Sequence, residues 1–172
     1  MPQLVLAILL ISLTLSSCSS CSNGDDTPAR RPTREQFIAH NRYLVHADSL
    51  AIAHYSDSLG LNATPTPSNL WLTIHDPGKG PLIKNGDRVS LEYTITTLLS
   101  DTLYTSSRDG IKTITAGNCD MTIGLDEALR QLRPGASATI ILIPEKAYGY
   151  RGDGKAIQRR MILRYDINIL TQ

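Results

Sequence analysis

The chain has 172 residues, 41% of them hydrophobic and 19% charged, and its 17 Lys and Arg against 16 Asp and Glu leave a formal net charge of +1. At about 100–200 residues per domain, this length holds one ordinary domain with a modest extension. The near-neutral balance provides no electrostatic footprint for nucleic acid or for an anionic membrane surface, and nucleic acid is not expected as a partner.

Residues 1–17, MPQLVLAILLISLTLSS, contain no charged side chain. An apolar run of this size is short for a membrane span and fits the core of a signal peptide. It ends at Leu15-Ser16-Ser17-Cys18, an aliphatic residue and two small ones before a cysteine. This resembles the lipobox of bacterial lipoproteins, in which the cysteine becomes the lipidated mature N-terminus. On that resemblance Cys18 is the lipidation site, and its lipid anchors the chain to a membrane without spanning it. The leading MPQ lacks the usual Lys or Arg, and an uncleaved anchor or an ordinary secretory signal is the alternative. The expected location is the bacterial cell envelope. Ser19 after the cysteine is compatible with sorting to the outer membrane, facing the periplasm. Residues 18–32, CSSCSNGDDTPARRP, are small, polar and turn-forming, and read as a flexible tether.

Thr33 with Gln36 three residues later, and Pro32 just outside, forms a helix-start signature. Apolar residues follow in pairs at Phe37/Ile38, Leu44/Val45 and Ala51/Ile52, then at Tyr55 and Leu59. This spacing predicts one amphipathic helix over 33–61, about seven turns long and stopped at Gly60. Its apolar stripe is too long to leave wet. It packs on its own domain, on a second copy (a homodimer), or on another protein of an envelope complex, and the pattern does not choose among them. ATPTPSN cannot continue a helix, so residues 62–69 read as a linker.

Beyond the linker the period changes to two, and residues 70–172 form the main domain. Val89, Leu91, Tyr93 and Ile95 alternate with Ser90, Glu92, Thr94 and Thr96 as in a half-buried strand. ASATIILI (136–143) and MILRYDINIL (161–170) read as further strands, the last with Met161, Leu163, Tyr165, Ile167 and Ile169 on one face. Between them Leu125, Ala128, Leu129 and Leu132 fall at helical spacing, with acids first, arginines last and Pro134-Gly135 as the stop. The expected fold class is α+β: a curved antiparallel sheet wrapped over one short amphipathic helix, preceded by the long N-terminal amphipathic helix.

The run GLDEALRQLRPGASATIILIPEKAYGY (124–150) resembles the centre of FKBP-type peptidyl-prolyl cis-trans isomerases: a short helix, a basic-Pro-Gly turn, a strand, then an AYG signature. Upstream, VSLEYTI (89–95) is similar to the strand bearing a pocket tyrosine, and YTSSRDG (104–110) to the turn that follows it. Downstream, RYDINIL is similar to the family's final strand. The ordered set covers about residues 70–172. The lipobox, the ARRP segment, the charged-polar helix and AYGY-R-GDG together resemble, more narrowly, the gliding-motility-associated isomerase lipoproteins of Bacteroidetes.

The implied activity is rotation about X–Pro bonds, which has a barrier of about 18–20 kcal/mol and takes tens to hundreds of seconds unaided. Resonance holds the amide planar by moving charge from nitrogen to oxygen. That separation shrinks in the twisted transition state, so an apolar cradle with one or two donors to hold the carbonyl is sufficient. The resemblance implies no cofactor and no metal, and proline-containing polypeptides as partners. It implies catalytic roles for Tyr93 and Tyr104 as pocket walls, Tyr148 as hydroxyl donor to the substrate carbonyl, and Tyr165 at the pocket base. It implies substrate contacts at Met121 and Thr122 on the rim, Leu125 on the floor and Ile157 as a cap. Three positions depart from the family: Leu125 stands for a Trp, Thr105 for an Asp, and Thr122 for an apolar residue.

The remaining reactive side chains form no second site in the sequence. Cys21 lies in the polar tail and Cys119 in a turn-like stretch, without the Cys/His company that zinc needs. His40, His46, His54 and His75 show no metal-ligand spacing and read as solvated helix or loop residues. RGDGK (151–155) lacks the context of a phosphate cradle and reads as part of a loop over the pocket. The functional expectation is an isomerase assisting folding of exported envelope proteins, with a link to gliding-motility or secretion machinery. The alternative is a catalytically weak chaperone or assembly subunit using the same cleft.

Overall fold

The computed structural model describes residues 31–171. The expected signal peptide at 1–17, Cys18 and most of the tether lie outside the described residues. The unit that begins at Ile38 carries the sheet and the site.

Helix α1 runs Arg34–Leu59. Its start is the expected capping box: the Thr33 N–H donates to Gln36 Oε1 at 2.9 Å, and the Gln36 N–H returns to Thr33 Oγ1 at 3.3 Å. Gly60, with φ of +60°, ends it. The linker expected at 62–69 carries a two-residue strand, β1 (Thr64–Pro65), on the edge of the sheet. Pro65 is tolerated there because an edge position need not donate to a ladder.

The remaining strands are β2 (Leu70–Asp76), β3 (Arg88–Thr97), β4 (Thr102–Thr105), β5 (Lys112–Thr115), β6 (Ser137–Leu142) and β7 (Leu163–Ile169). The seven strands form one antiparallel sheet of order β1-β2-β6-β7-β3-β4, with β5 also on β3. The outer edge of β3 is shared: Thr94–Thr96 pair with β4, and Arg88–Leu91 pair with β5. A short helix, α2 (Ser106–Asp109), lies between those two partners in the chain.

Helix α3 (Ile123–Leu129) lies against the inner face of the sheet. Thr122 caps it, its Oγ1 accepting the Leu125 N–H at 3.2 Å, so the helix begins earlier than the apolar spacing implied. It also ends earlier. Arg130 is the C-cap, and the buried Leu132 sits in the turn beyond, where the Ile83 N–H donates to its carbonyl at 3.0 Å. Gly124 lets helix and sheet approach, since a Cβ there would meet Leu142 Cδ2 at 2.5 Å. Inward residues of β2, β3, β6 and β7 join Leu125, Ala128 and Leu129 in the main core.

A second, smaller core lies behind the sheet. Ile52 of α1, Ile141 of β6 and Ile143 are 0–2% exposed, with Val45, Tyr55, Leu61, Trp71, Leu98 and Ile162 packed around them. Helix α1 therefore covers its own domain's sheet, the first of the three options its stripe left open. This explains why ASATIILI has so little alternation: Ile140 and Leu142 face one core while Ile141 and Ile143 face the other. The stripe is shorter than its spacing suggested. Ala51 is exposed, and Phe37, Ile38 and Leu59 are about half exposed at 57%, 46% and 51%. A seven-residue repeat drifts about 20° per heptad on a straight helix, so one stripe cannot face a sheet along its whole length.

Candidate active site

Four of the eight expected site residues line one cleft. Tyr93, Tyr104, Met121 and Tyr148 enclose a volume of about 230 Å³ together with Ile95 and the charged Lys112, Asp120, Asp153 and Lys155. Tyr93 and Ile95 are alternate inward residues of β3, so strand geometry alone puts both side chains on the core face. Where β3 changes partners, the Tyr93 N–H donates to Ser106 Oγ at 3.2 Å, so the Ser-Ser turn replaces the missing ladder bond. Thr105, one of the departures, caps α2: its Oγ1 accepts the Ser107 N–H at 3.4 Å, and its own N–H donates to Asp109 at 3.2 Å.

Tyr104 stands on β4 opposite Ile95. Its hydroxyl donates to the Asp153 carboxylate, and the Arg108 guanidinium lies 5.9 Å from its ring centre. The bond to Asp153, with burial, pushes the Tyr104 hydroxyl above the usual tyrosine range. Burial pushes Tyr93 and Tyr148 up as well. The tyrosines of the cleft are thus neutral O–H groups at neutral pH, unsuited to act as bases; the Tyr104 proton is committed to Asp153, which leaves Tyr93 and Tyr148 as donors for a carbonyl.

The other four expected residues form the layer beneath and do not line the cleft. Leu125 and Tyr165 are fully buried, Ile157 is 2% exposed and Thr122 4%. The Thr122 hydroxyl is committed to the helix cap. Tyr165 sits on β7 opposite both Ile95 and Ile140, which places its ring centrally under the cleft. Its hydroxyl is turned toward the hydroxyls of Thr122 and Tyr148 but makes no well-formed hydrogen bond with either. Burial pushes this hydroxyl up strongly.

A flap, residues 149–160, follows Tyr148. The short 3-10 turn Pro144–Lys146 ends β6, and the Gly149 N–H returns to the Pro144 carbonyl at 2.7 Å. Within the flap, Asp153 Oδ1 accepts the N–H groups of Lys155 and Ile157, both at 2.8 Å, while its other oxygen accepts from Tyr104. Burial pushes this carboxyl up, but the Tyr104 hydroxyl and the backbone donors outweigh it and hold it below the usual range. Gly152, at φ of +69°, is required because a Cβ would collide with the Ile157 carbonyl.

Ile95, Lys112, Asp120, Asp153 and Lys155 line the cleft without being among the expected site residues. Ile95 was legible as an inward strand residue, but its place on the cleft depends on where the flap folds. Lys112 and Asp120 pair at 2.8 Å across a hairpin end, a meeting no local pattern announces. Asp153 had one sequence cue, an acid between two glycines, and this reads equally as an ordinary turn.

Comparison with known proteins points the same way as the geometry. The FKBP-type peptidyl-prolyl cis-trans isomerase family signature matches residues 80–170. The peptidyl-prolyl cis-trans isomerase Fkbp12 of Drosophila melanogaster is 38% identical over 97 residues, 55% of this chain and 89% of that protein. A probable FKBP-type isomerase of Haemophilus influenzae is 28% identical over 111 residues, covering 64% of this chain and 46% of that one. Among solved structures, AtFKBP13 superposes with a TM-score of 0.60 at 23% identity, covering 64% of this chain and 98% of that one. FkpA from Escherichia coli gives 0.62 at 18% identity, with 81% of this chain and 73% of that one covered. The likenesses in structure carry the fold alone, and the matches in sequence carry the rest: this chain belongs to the FKBP-type peptidyl-prolyl cis-trans isomerase family.

Proposed function

We propose that this protein is a lipid-anchored isomerase that speeds X–Pro rotation in exported polypeptides of a bacterial envelope. The observation that carries the activity is the cleft itself, in which tyrosine, isoleucine and methionine side chains surround a space bounded by Tyr148 and a flap. Tyr93, Tyr104, Ile95 and Met121 provide apolar surface that favours the less polar, twisted amide. Tyr148 provides a neutral hydroxyl for the substrate carbonyl, and Ile157 backs the flap over the bound proline. Leu125 and Tyr165 support the cleft from below, Tyr165 with the bulk that a leucine floor lacks. The rate problem is large enough for such a cradle to matter, since each 1.4 kcal/mol removed from the barrier gives about tenfold.

The anchor rests on Leu15-Ser16-Ser17-Cys18, with Cys18 as the lipidated residue. Ser19 favours the outer membrane, facing the periplasm. A tether and a helix ahead of the isomerase domain support a role beside gliding-motility or secretion machinery. A second reading has a specific observation in its favour. Thr122, Leu125, Ile157 and Tyr165 close the floor at 0–4% exposure, which leaves a shallow cleft suited to binding chains without efficient turnover.

A protease-free isomerisation assay on a fluorogenic proline tetrapeptide series, using the full chain, separates the two. An isomerase shows acceleration that falls about tenfold or more with Tyr148→Phe, which removes the hydroxyl donor to the substrate carbonyl. No acceleration by the wild type, with peptide binding retained, would leave the binding module as the function.

A further inference from the structure

The flap that bears on the cleft is gripped from outside by helix α1. Its two ends meet where the Arg160 N–H donates to the Gly149 carbonyl at 2.9 Å, one residue beyond Tyr148. The Arg160 side chain then leaves the cleft and reaches the helix. Its Nη2 lies 2.6 Å from Asp48 Oδ2, and its Nη1 lies 3.6 Å from Glu145 and 3.2 Å from the Tyr150 hydroxyl. Its guanidinium also sits 5.3 Å from the centre of the Tyr150 ring. Tyr150, a flap residue, donates in turn to Asn41 Oδ1 of the same helix at 3.1 Å.

Three features set this apart from an incidental surface ion pair. The Arg160 and Asp48 side chains are only 22% and 16% exposed, so solvent does not screen them as it screens a surface pair. Arg160 holds φ at +54°, a left-handed conformation that non-glycine residues adopt only when the surroundings dictate it. Asn41 and Asp48 lie two turns apart on one helix, so two flap residues that also bond to each other are held at two points by the same element. On the cleft side, Asp153 and Tyr104 tie the same flap to β4.

We infer that Arg160 and Asp48 are positioning residues for the isomerase cleft, with α1 acting as the outer anchor of the flap that carries Asp153 and Ile157 and begins beside Tyr148. The inference rests on the isomerase reading of the cleft and adds a role for the N-terminal helix: it holds the flap in its substrate-ready place. The residues touch no substrate, so their effect appears in how well the cleft accepts one.

The test uses the full chain with Asp48→Asn, Arg160→Gln, the double variant, and Asp57→Asn on an exposed part of the same helix as control. KM and kcat are measured on a proline tetrapeptide, Kd on the same peptide, and amide exchange along the chain. Each single variant is expected to raise KM and Kd by about three- to tenfold with kcat little changed. The double variant should be no worse than the worse single, and exchange at 149–158 should quicken about tenfold while β6 and β7 stay protected. The control should match the wild type. KM and Kd unchanged in both singles would overturn the proposal, as would a double variant whose effects simply multiply. So would faster flap exchange without any change in KM or Kd. If the wild type accelerates no rotation, the isomerase reading falls and the anchor is judged on Kd and exchange alone. Should a charge variant fold poorly, Tyr150→Phe keeps the ring on Arg160 and removes only the hydroxyl's bonds. It is expected to quicken flap exchange and weaken Kd, and unchanged values in both would overturn the proposal.

Discussion

Tyr165 illustrates what a single side chain can cost and serve. A buried hydroxyl without a partner costs about 1–3 kcal/mol, because water is lost and nothing replaces it. Its ring belongs to the main core, against which Tyr148 packs. Tyr165→Phe is therefore expected to raise stability by about 1 kcal/mol in urea unfolding. A loss of similar size would show that the hydroxyl is bonded in solution. The residue was legible as inward from the alternation in RYDINIL, and its place at the pocket base came from the resemblance. That its hydroxyl lacks a partner depends on the exact approach of Thr122 and Tyr148, which come from other elements and leave no trace in the local pattern.

Among the elements, α1 and β6 are the informative pair. The capping box, the length and the glycine stop of α1 were all readable, because each is set by bonds within a few residues. Its partner was not readable, because an apolar stripe records that something covers it and not what. β6 held the missing information in another form: five successive buried residues, Ala138 to Leu142, mean a strand covered on both faces. Ile52→Ala should thus behave as a core truncation, costing about 2–4 kcal/mol in thermal or urea unfolding. A cost below about 0.5 kcal/mol would mean that the helix leaves the sheet in solution. β2, β4 and β5 escaped the alternation argument for a plain reason. β4 and β5 are four residues each, too short to establish a period, and β2 loses its alternation at the exposed Ile74.

Across the whole molecule, Glu127 links three regions. It accepts from Ser68 of the linker and from Lys146 of the turn before the flap, the latter at 3.0 Å, while standing on α3. Burial pushes its carboxyl up, but these two donors outweigh it and hold it below the usual range. A depressed carboxyl contributes stability that is complete above its unfolded pKa and is lost as pH falls through the folded one. Glu127→Gln should therefore lower stability by about 1–2 kcal/mol at neutral pH and converge with the wild type in acid. Urea melts from about pH 3 to 7 check this, and parallel curves for the two proteins would show that the carboxylate is not linked to folding.

The sequence by itself determined the local matters: the ends of α1 from its capping residues, the inward face of β3 and β7 from period two, and the family from ordered motifs between 89 and 170. These depend on interactions within a few residues, or on a pattern a reader can count. Only the tertiary structure decided which of the eight expected residues open on the cleft and which lie under it. It alone showed what the helix covers and which charged residues attend the cleft. Meetings such as Arg160 with Asp48, Tyr104 with Asp153 and Lys146 with Glu127 join residues 112, 49 and 19 positions apart. Loop closure over such distances is set by the packing of the whole core, and no short window of sequence records it.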